Sequence, residues 1–192
     1  VGIAMHAVMV GLATDFAIFL AHYLQHRSSV LWEFHKVHHS AEVLTPVTVL
    51  RMHPVDDLLT GACVALFLGL VHGTISALFD GAPGKAGILG ANMMFMLFYA
   101  SAYHLRHSHI WLPFPPWLSH WLVSPAQHQI HHSSAERHWD RNMGFIFAFW
   151  DRLFGTLYVP TEKEEFTLGL NRDEQKEYNS VTRLYFLPFR KA

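Results

Sequence analysis

"HYLQHRSSVLWEFHKVHHS", residues 22–40, places five histidines in 19 positions. The first two are four positions apart, and the last three follow the pattern His-x2-His-His. The same triplet returns at residues 128–132 in "HQIHH". Because positions i, i+3 and i+4 share one face of a helix, each group is predicted to direct its imidazoles to one side. We refer to these eight residues as the box histidines: His22, His26, His35, His38, His39, His128, His131 and His132.

The composition favours a membrane protein with one folded unit. The chain has 192 residues, which predicts a single domain over 1–192. Hydrophobic residues make up 51% and charged residues 15%, and this balance is typical of a chain that contacts lipid. The net charge of −1 provides no basic surface for nucleic acid, which is therefore not expected as a partner. Cys63 is the single cysteine, so a disulfide framework and a cysteine-based zinc site are excluded.

Three apolar stretches, at about 1–21, 58–79 and 86–103, approach the length of about 20 residues that a membrane-crossing helix needs. The predicted fold class is therefore all-α, an integral-membrane, multi-pass helical bundle. Between the second and third stretches, "DGAPGK" (80–85) predicts a tight turn and hence a helical hairpin. Basic residues flank the hairpin on the side of the histidine boxes. The positive-inside rule then predicts a cytoplasmic, histidine-rich helical cap.

The histidine boxes indicate a site for two metal ions within this cap. Eight imidazoles exceed the capacity of one ion, but they suit two ions with about four nitrogens each. Imidazole is a ligand for iron, zinc, copper and nickel, and an all-nitrogen set with open positions fits redox-active iron. The sequence contains no Glu-x-x-His and no His-Glu-x-x-His. A ferritin-like carboxylate di-iron centre and a zincin protease are therefore not expected.

Other polar residues are candidates for a supporting role. Asp15 lies two helical turns before His22, so its carboxylate is a candidate either for accepting an imidazole N–H or for a helix-end or pore-lining charge. Asn142 is a candidate for holding a metal-bound water or, alternatively, for shaping a turn. His53 precedes a proline and is a candidate either for metal binding or for orienting its neighbours. The isolated His6, His72, His120 and His138 are assigned no metal, and ion pairs within the cap are predicted for Arg51, Asp56, Asp151 and Arg152.

The chain resembles the fatty acid hydroxylase/sterol desaturase superfamily of integral-membrane di-iron oxygenases. The resemblance runs from about Asp15 to Tyr158, in "DFAIFLAHYLQHR", "VLWEFHKVHHS", "RMHPVDD", "QHQIHHS" and "NMGFIFAFWDRLFGT". It implies that the eight box histidines bind the metals and that "YHLRHSH" (103–109) adds one or two ligands. Within that segment His107 is preferred, ahead of His104 and His109. The resemblance also implies helices upstream of Val1.

The resulting hypothesis is a membrane-bound, O2-dependent di-iron lipid hydroxylase or desaturase that acts on a C–H bond of a sterol, a fatty acyl chain or a related lipid. The cofactors are two ferrous ions, for which zinc can substitute in purified protein. No catalytic residue is predicted beyond the metal ligands. The chain has no Gly-rich cofactor motif and no cysteine set for an iron–sulfur cluster, so electrons must come from an external cytochrome, ferredoxin or flavoprotein reductase.

Two alternatives come from other classes of protein. A histidine-lined metal transporter predicts polar residues at mid-membrane on facing helices, whereas the boxes lie at the ends of the apolar stretches. A bis-His haem protein predicts isolated histidines deep in two helices, such as His6 and His72. Metal analysis together with an absorption spectrum distinguishes these alternatives from the oxygenase.

Overall fold

The computed structural model describes residues 3–78, 93 and 96–192. Within these residues the chain is helical, with two isolated β-bridges and no strand, in agreement with the predicted helical class. The predicted turn at 80–85 and half of the third apolar stretch, 86–103, lie outside the described residues. The helical hairpin therefore stays a prediction.

The first two helices bring the first histidine boxes together. Helix α1 (Ile3–Arg27) has 25 residues and includes His22 and His26 in its last turns. The Ser28 hydroxyl then accepts a hydrogen bond from the backbone N–H of Leu31, which caps the next helix, α2 (Ser29–His39). Because only one residue separates the helices, α2 turns back against the end of α1. The second box thus faces the first.

Helix α3 (Pro54–Leu78) packs along α1. Both helices are long and apolar enough to cross a membrane. Within the most apolar 18-residue window of each helix, only 6% is buried in α3, compared with 44% in α1. Leu58, Leu66 and Leu70 of α3 are among its exposed side chains. Exposing so many leucines to water would be costly, whereas lipid is their natural solvent. The two helices indicate a membrane protein.

The second half of the described chain consists of short helices joined by ordered loops. A π-helical turn (Tyr99–Tyr103) leads into α4 (His104–Arg106), and 3-10 turns occupy Pro46–Leu50 and Glu136–His138. The next helices are α5 (Pro116–Ser119), α6 (Pro125–His131), α7 (Phe149–Phe154), α8 (Arg172–Gln175) and α9 (Val181–Lys191). Helix α9 packs on α2, where the Phe34 and Phe189 rings meet.

Buried carboxylates fix the loop that follows α6. Asp151 accepts hydrogen bonds from the backbone N–H groups of Met143 and Gly144 and from the Thr156 hydroxyl, at 2.7, 2.8 and 2.6 Å. The prediction of ion pairs among Arg51, Asp56, Asp151 and Arg152 is therefore wrong. The guanidinium of Arg51 instead donates to Ser40 and to the Val37 carbonyl. Backbone groups are the nearer partners because the loops carry many N–H and C=O groups that must be satisfied when buried.

Candidate metal centre

Nine histidines converge in two adjacent groups between α1, α2, α4 and α6. Within each group, the ligand nitrogens all lie within 4.8 Å of one another. Eight of the nine are the box histidines, and the ninth is His107, which was preferred within residues 103–109. The first group is His22, His26, His35, His39 and His131, and the second is His38, His107, His128 and His132.

The groups do not coincide with the boxes, and helix geometry explains why. On α2, positions 35 and 39 lie about 40° apart around the helix axis, whereas 38 and 39 lie about 100° apart. His35 and His39 therefore join one group and His38 the other. Helix α6 divides its triplet in the same way, because His128 and His132 are about 40° apart and His131 points elsewhere. Each triplet directs its imidazoles into the same buried region, as expected, but within that region each triplet contributes to both groups.

Backbone carbonyls fix the orientation of three of the imidazoles. The Nδ1 atoms of His22 and His131 lie 2.8 and 2.7 Å from the carbonyl oxygens of Met143 and Arg141. The Nδ1 atom of His38 lies 3.2 Å from the carbonyl oxygen of Arg51. A carbonyl oxygen can only accept a hydrogen bond, so each Nδ1 carries the proton and each Nε2 keeps its lone pair. These lone pairs face the interior of the two groups.

Two carboxylates lie beside first-group histidines. The Asp140 carboxylate is 3.4 Å from Nδ1 of His26, and the Asp56 carboxylate is 3.7 Å from Nδ1 of His35. Neither pair forms a hydrogen bond at these distances, but a small side-chain shift would place each carboxylate where such groups orient metal-binding imidazoles and increase their basicity. Asp140 was not identified from the sequence, because it is distant from His26 along the chain. Asp56 lies in "RMHPVDD", a stretch that carries the family resemblance, and this could have indicated a place near the site. From the sequence, Asp56 was instead assigned to an ion pair.

His128 is the exception among the nine. Its Nδ1 lies 3.0 Å from a guanidinium nitrogen of the buried Arg106, which can only donate. A neutral His128 therefore carries its proton on Nε2, the atom that lies 3.0 Å from Nε2 of His107. To bind a metal through Nε2, His128 would have to release that proton. Arg106 was not identified from the sequence, where it is one of several arginines near histidines.

The remaining nitrogens fit a metal-binding role. The Nε2 atoms of His22, His26, His35, His39, His131 and His132 are buried without a hydrogen-bond partner. Buried polar atoms are rarely left unpaired, so an unpaired set that converges calls for a further ligand. The Nε2 atoms of His38 and His107 are 3.2 Å apart. Two nitrogens that bind one ion at about 2.1 Å and at right angles lie about 3.0 Å apart, so this spacing suits shared coordination.

Burial keeps these imidazoles neutral. It lowers the pKa of His35 and of His38 to about 3. The pKa values of His39, His131 and His132 are likewise held well below the ordinary range, first by burial and then by the neighbouring histidines. Neutral imidazole is the form that binds metals, because protonation removes the lone pair. The site is therefore in its ligand form at neutral pH.

Comparison with known proteins places the chain in a family. The model of the fatty acid hydroxylase family matches residues 7–156. The chain belongs to the fatty acid hydroxylase family. The match includes all nine converging histidines, and no solved structure gives a significant match to the chain.

Several curated relatives from this family are lipid-modifying enzymes by name. Ornithine lipid hydroxylase OlsE from Rhizobium tropici is 29% identical over 165 residues, which cover 85% of this chain and 45% of the relative. Alkylglycerol monooxygenase from Caenorhabditis elegans is 24% identical over 178 residues, 89% of this chain and 30% of the relative. A very-long-chain aldehyde decarbonylase from Oryza sativa subsp. indica is 26% identical over 188 residues, which cover 92% of this chain and 27% of the relative. The chain thus spans less than half the length of these relatives.

The other candidate site residues lie outside the two groups. Asp15 accepts hydrogen bonds from the Ile146 backbone N–H and the Trp150 indole, so these contacts do not support its candidate role as an imidazole partner. Asn142 has a φ of 56°, and its side chain donates to the Gln127 carbonyl and accepts from the Tyr158 N–H. These contacts fit its alternative role of shaping a turn. His53 bonds to the Tyr185 carbonyl and the Val55 N–H, which fits its orienting alternative. His104 and His109 are exposed.

The four histidines without a metal assignment differ in their surroundings. His120 is exposed and bonds to the Pro116 carbonyl, and the buried His138 lies 3.0 Å from a Glu164 oxygen. His6 and His72 are not isolated, because their ring nitrogens meet at 3.3 Å between α1 and α3. His6 lies near the start of α1, whereas His22 and His26 lie near its end, and His72 is on α3. None of the four histidines belongs to either group.

Proposed function

We propose that the chain forms the metal-binding part of a membrane-bound di-iron lipid oxygenase that uses O2 to hydroxylate or desaturate a C–H bond. The observation that carries this proposal is the pair of buried, neutral histidine groups with unpaired, converging nitrogens. The names of the relatives, which include a lipid hydroxylase and a monooxygenase, support the same reaction class.

The two groups would each hold one ferrous ion. Bound there, the two ions would supply the electrons that activate O2 for reaction with an unactivated C–H bond. The five nitrogens of the first group and the four of the second include no carboxylate. Neutral nitrogen ligands would leave the full positive charge on the metals. Asp56 and Asp140 then keep His35 and His26 in the correct orientation.

A cavity beside the histidines has the properties of a lipid-binding site. It has a volume of about 430 Å³ and is bordered by His22, His35, His38, His107 and His128, from both groups. Apolar side chains form much of the rest of its wall, among them Ile18, Val49, Leu50, Met52 and Phe145. Its walls come partly from α1 and α3, the two helices that can cross a membrane. A lipid chain in this cavity would place a C–H bond near the metals while excluding bulk water.

Several partners follow from this chemistry. Hydroxylation of a lipid RH by O2 consumes two electrons and two protons and gives ROH and water, so a cytochrome, ferredoxin or flavoprotein reductase must supply electrons. We further propose that the histidine groups face the cytoplasm, since basic residues flank the apolar stretches on that side. We also propose that residues 1–192 belong to one membrane domain.

The metal content of the purified protein tests the proposal. We expect close to two metal ions per chain, iron in the active form, and no haem absorption band. His131→Ala should lower the metal content and abolish turnover, because loss of a direct ligand costs more than the about 10–100-fold that loss of a supporting partner costs. His120→Ala, which removes an exposed imidazole bonded to Pro116, is the matched control and should retain both. A single ion per chain would contradict the di-iron proposal.

The haem alternative does not fit the histidine pair that it requires. The nitrogens of His6 and His72 are 3.3 Å apart. Two axial nitrogens on one iron stand about 4 Å apart, at about 2.0 Å from the metal on each side, and the porphyrin must pass between the rings. The pair leaves no space for it. A transporter would bind metal reversibly and show no O2-dependent turnover, so the same measurements separate it from the oxygenase.

A further inference from the structure

A second, smaller cavity reaches the histidines from another direction. It has a volume of about 190 Å³ and touches His26, His39 and His131 of the first group. The cavity of about 430 Å³ touches five other histidines of the two groups, and the two cavities have no lining residue in common. The histidines therefore form a wall between them.

Eight of the twelve residues that line the smaller cavity have polar side chains, although apolar atoms still form the larger part of its wall. The polar groups include the hydroxyls of Ser133 and Ser134, the Asn171 amide and the carboxylates of Asp140 and Glu174. These residues belong to the loop after α6 and to the segment around α8, and α1 contributes only His26 from its last turn. The cavity thus opens away from the apolar length of the spanning helices. Water and hydrated ions are its natural contents.

The charges at the cavity are balanced. Asp140 lies 3.6 Å from the guanidinium of Arg27, and Glu174 lies 2.8 Å from the ammonium group of Lys36. The walls therefore offer oxygen ligands, and the negative charge of the two carboxylates is offset by the neighbouring basic side chains. A divalent cation can exchange its waters for such oxygens one at a time, and it binds them more weakly than it binds imidazole. The inner end of the cavity supplies the Nε2 atoms of His26, His39 and His131, which have no hydrogen-bond partner.

An indole closes part of the inner end. The ring centre of Trp32 lies 4.9 Å from that of His26 and 5.2 Å from that of His39. Trp32 is half-buried and belongs to the cavity lining. A change in its side-chain rotamer would widen the path to the first group without moving a helix.

We propose that the 190 Å³ cavity is the aqueous route by which a divalent metal ion reaches and leaves the histidine groups, separate from the lipid cavity. The inference rests on the proposed metal site. The wall of the 430 Å³ cavity exposes mainly apolar atoms, and loss of a cation's water shell without replacement ligands is very costly. The polar cavity provides replacement oxygens up to the imidazoles. Metal exchange and lipid binding then use different faces of the same histidine wall.

Site-directed blocking tests the route. In a Cys63→Ala background, Ser134→Cys places a thiol in the polar cavity, and Leu50→Cys places a matched thiol at the lipid cavity. The full-length variants are loaded with Zn²⁺, labelled with a bulky maleimide and mixed with EDTA, and release of Zn²⁺ is followed over time. We expect the label at position 134 to slow release by about tenfold or more, and the label at position 50 to leave the rate unchanged.

Each outcome decides between the proposals. Trp139→Cys provides a second thiol in the same cavity, for use if Ser134→Cys does not fold. If labels at 134 and 139 leave the rate of Zn²⁺ release unchanged, or if only the label at 50 slows it, the polar cavity is not the route, although the metal site stands. If the unlabelled protein binds no Zn²⁺ and no iron, the proposed function fails, and this inference fails with it.

Discussion

At the scale of single residues, the site depends on backbone atoms as much as on side chains. The carbonyl of Met143 orients His22, and the carbonyl of Gly144 accepts from Arg106, which in turn contacts His128. Any residue type has a carbonyl, so the path of the loop matters more than the identity of most of its side chains. Gly144 is different, because a Cβ there would lie 2.7 Å from an Asp151 oxygen and 2.7 Å from the Phe147 carbonyl.

Gly144→Ala should therefore destabilise the site. The added methyl group has no space, and overpacking of this kind costs about 1–3 kcal/mol. The displaced loop would also move the carbonyl that holds His22. We expect a lower midpoint of thermal unfolding in detergent and a lower metal content.

Gly61→Ala in α3 is the control for this prediction. Nothing lies within 4 Å of a Cβ at that position, and alanine in a helix interior is favoured over glycine by about 0.5–1 kcal/mol. Equal effects of the two variants would show that the close packing around Gly144 is unimportant.

At the scale of secondary-structure elements, α6 is a short helix that holds several of the converging histidines. It has seven residues, yet it carries His128 and His131, and its C-cap is His132. So short a helix is not stable alone. A capping box holds its start, in which Ser124 accepts from the Gln127 N–H and the Gln127 side chain accepts from the Ser124 N–H. The Gln127 amide also donates to the Ser119 carbonyl, which fixes α6 to α5.

Ser124→Ala should weaken both stability and metal binding. Loss of an N-cap side chain costs about 1 kcal/mol, and here the helix start is buried next to three of the histidines. We expect a lower unfolding midpoint together with faster loss of metal to a chelator. Ser180→Ala removes the corresponding cap of α9, distant from the histidine groups, and should leave metal loss unchanged. Equal rates of metal loss in the two variants would contradict a role for the α6 cap.

At the scale of the whole molecule, one folded structure must bury many imidazoles in neutral form. The nine histidines lie where α1 and α2 meet the loops of the second half of the chain. Two buried aspartates, Asp15 and Asp151, fasten those loops by accepting their backbone N–H groups. Charging these imidazoles in the absence of metal would therefore oppose folding.

The stability of the metal-free protein should decrease in acid. Burial lowers the pKa of His35 and His38 to about 3 in the folded chain, whereas the unfolded value is about 6.5. Between these values the unfolded state binds more protons, so the stabilising effect is complete above about pH 6.5 and is lost as the pH falls towards 3. Each such histidine contributes up to about 1.4 kcal/mol per pH unit in that range.

Thermal unfolding of the metal-free protein in detergent, between about pH 8 and pH 5, measures this effect. The midpoint should be nearly constant above about pH 7 and should fall below it. A midpoint that rises as the pH is lowered would contradict neutral burial of these imidazoles.

Much of the chemistry could be predicted from the sequence. The spacing of His22 and His26, and of the two triplets, indicated metal ligands on helices, because helical periodicity is a local property of the chain. The length and hydropathy of the apolar stretches likewise predicted the two helices that can cross a membrane, α1 and α3. Both inferences need only neighbouring residues along one helix.

The tertiary structure alone decided how the ligands are shared and what supports them. The first group joins His22 of α1 with His35 of α2 and His131 of α6, and its supports include Asp140 and the Arg141 carbonyl. Asp15 had the correct helical spacing for an imidazole partner, but unpaired N–H groups of a distant loop lie closer to its carboxylate. Spacing gives the direction of a side chain on its own helix, whereas its partner depends on how separate segments pack, which local periodicity does not encode.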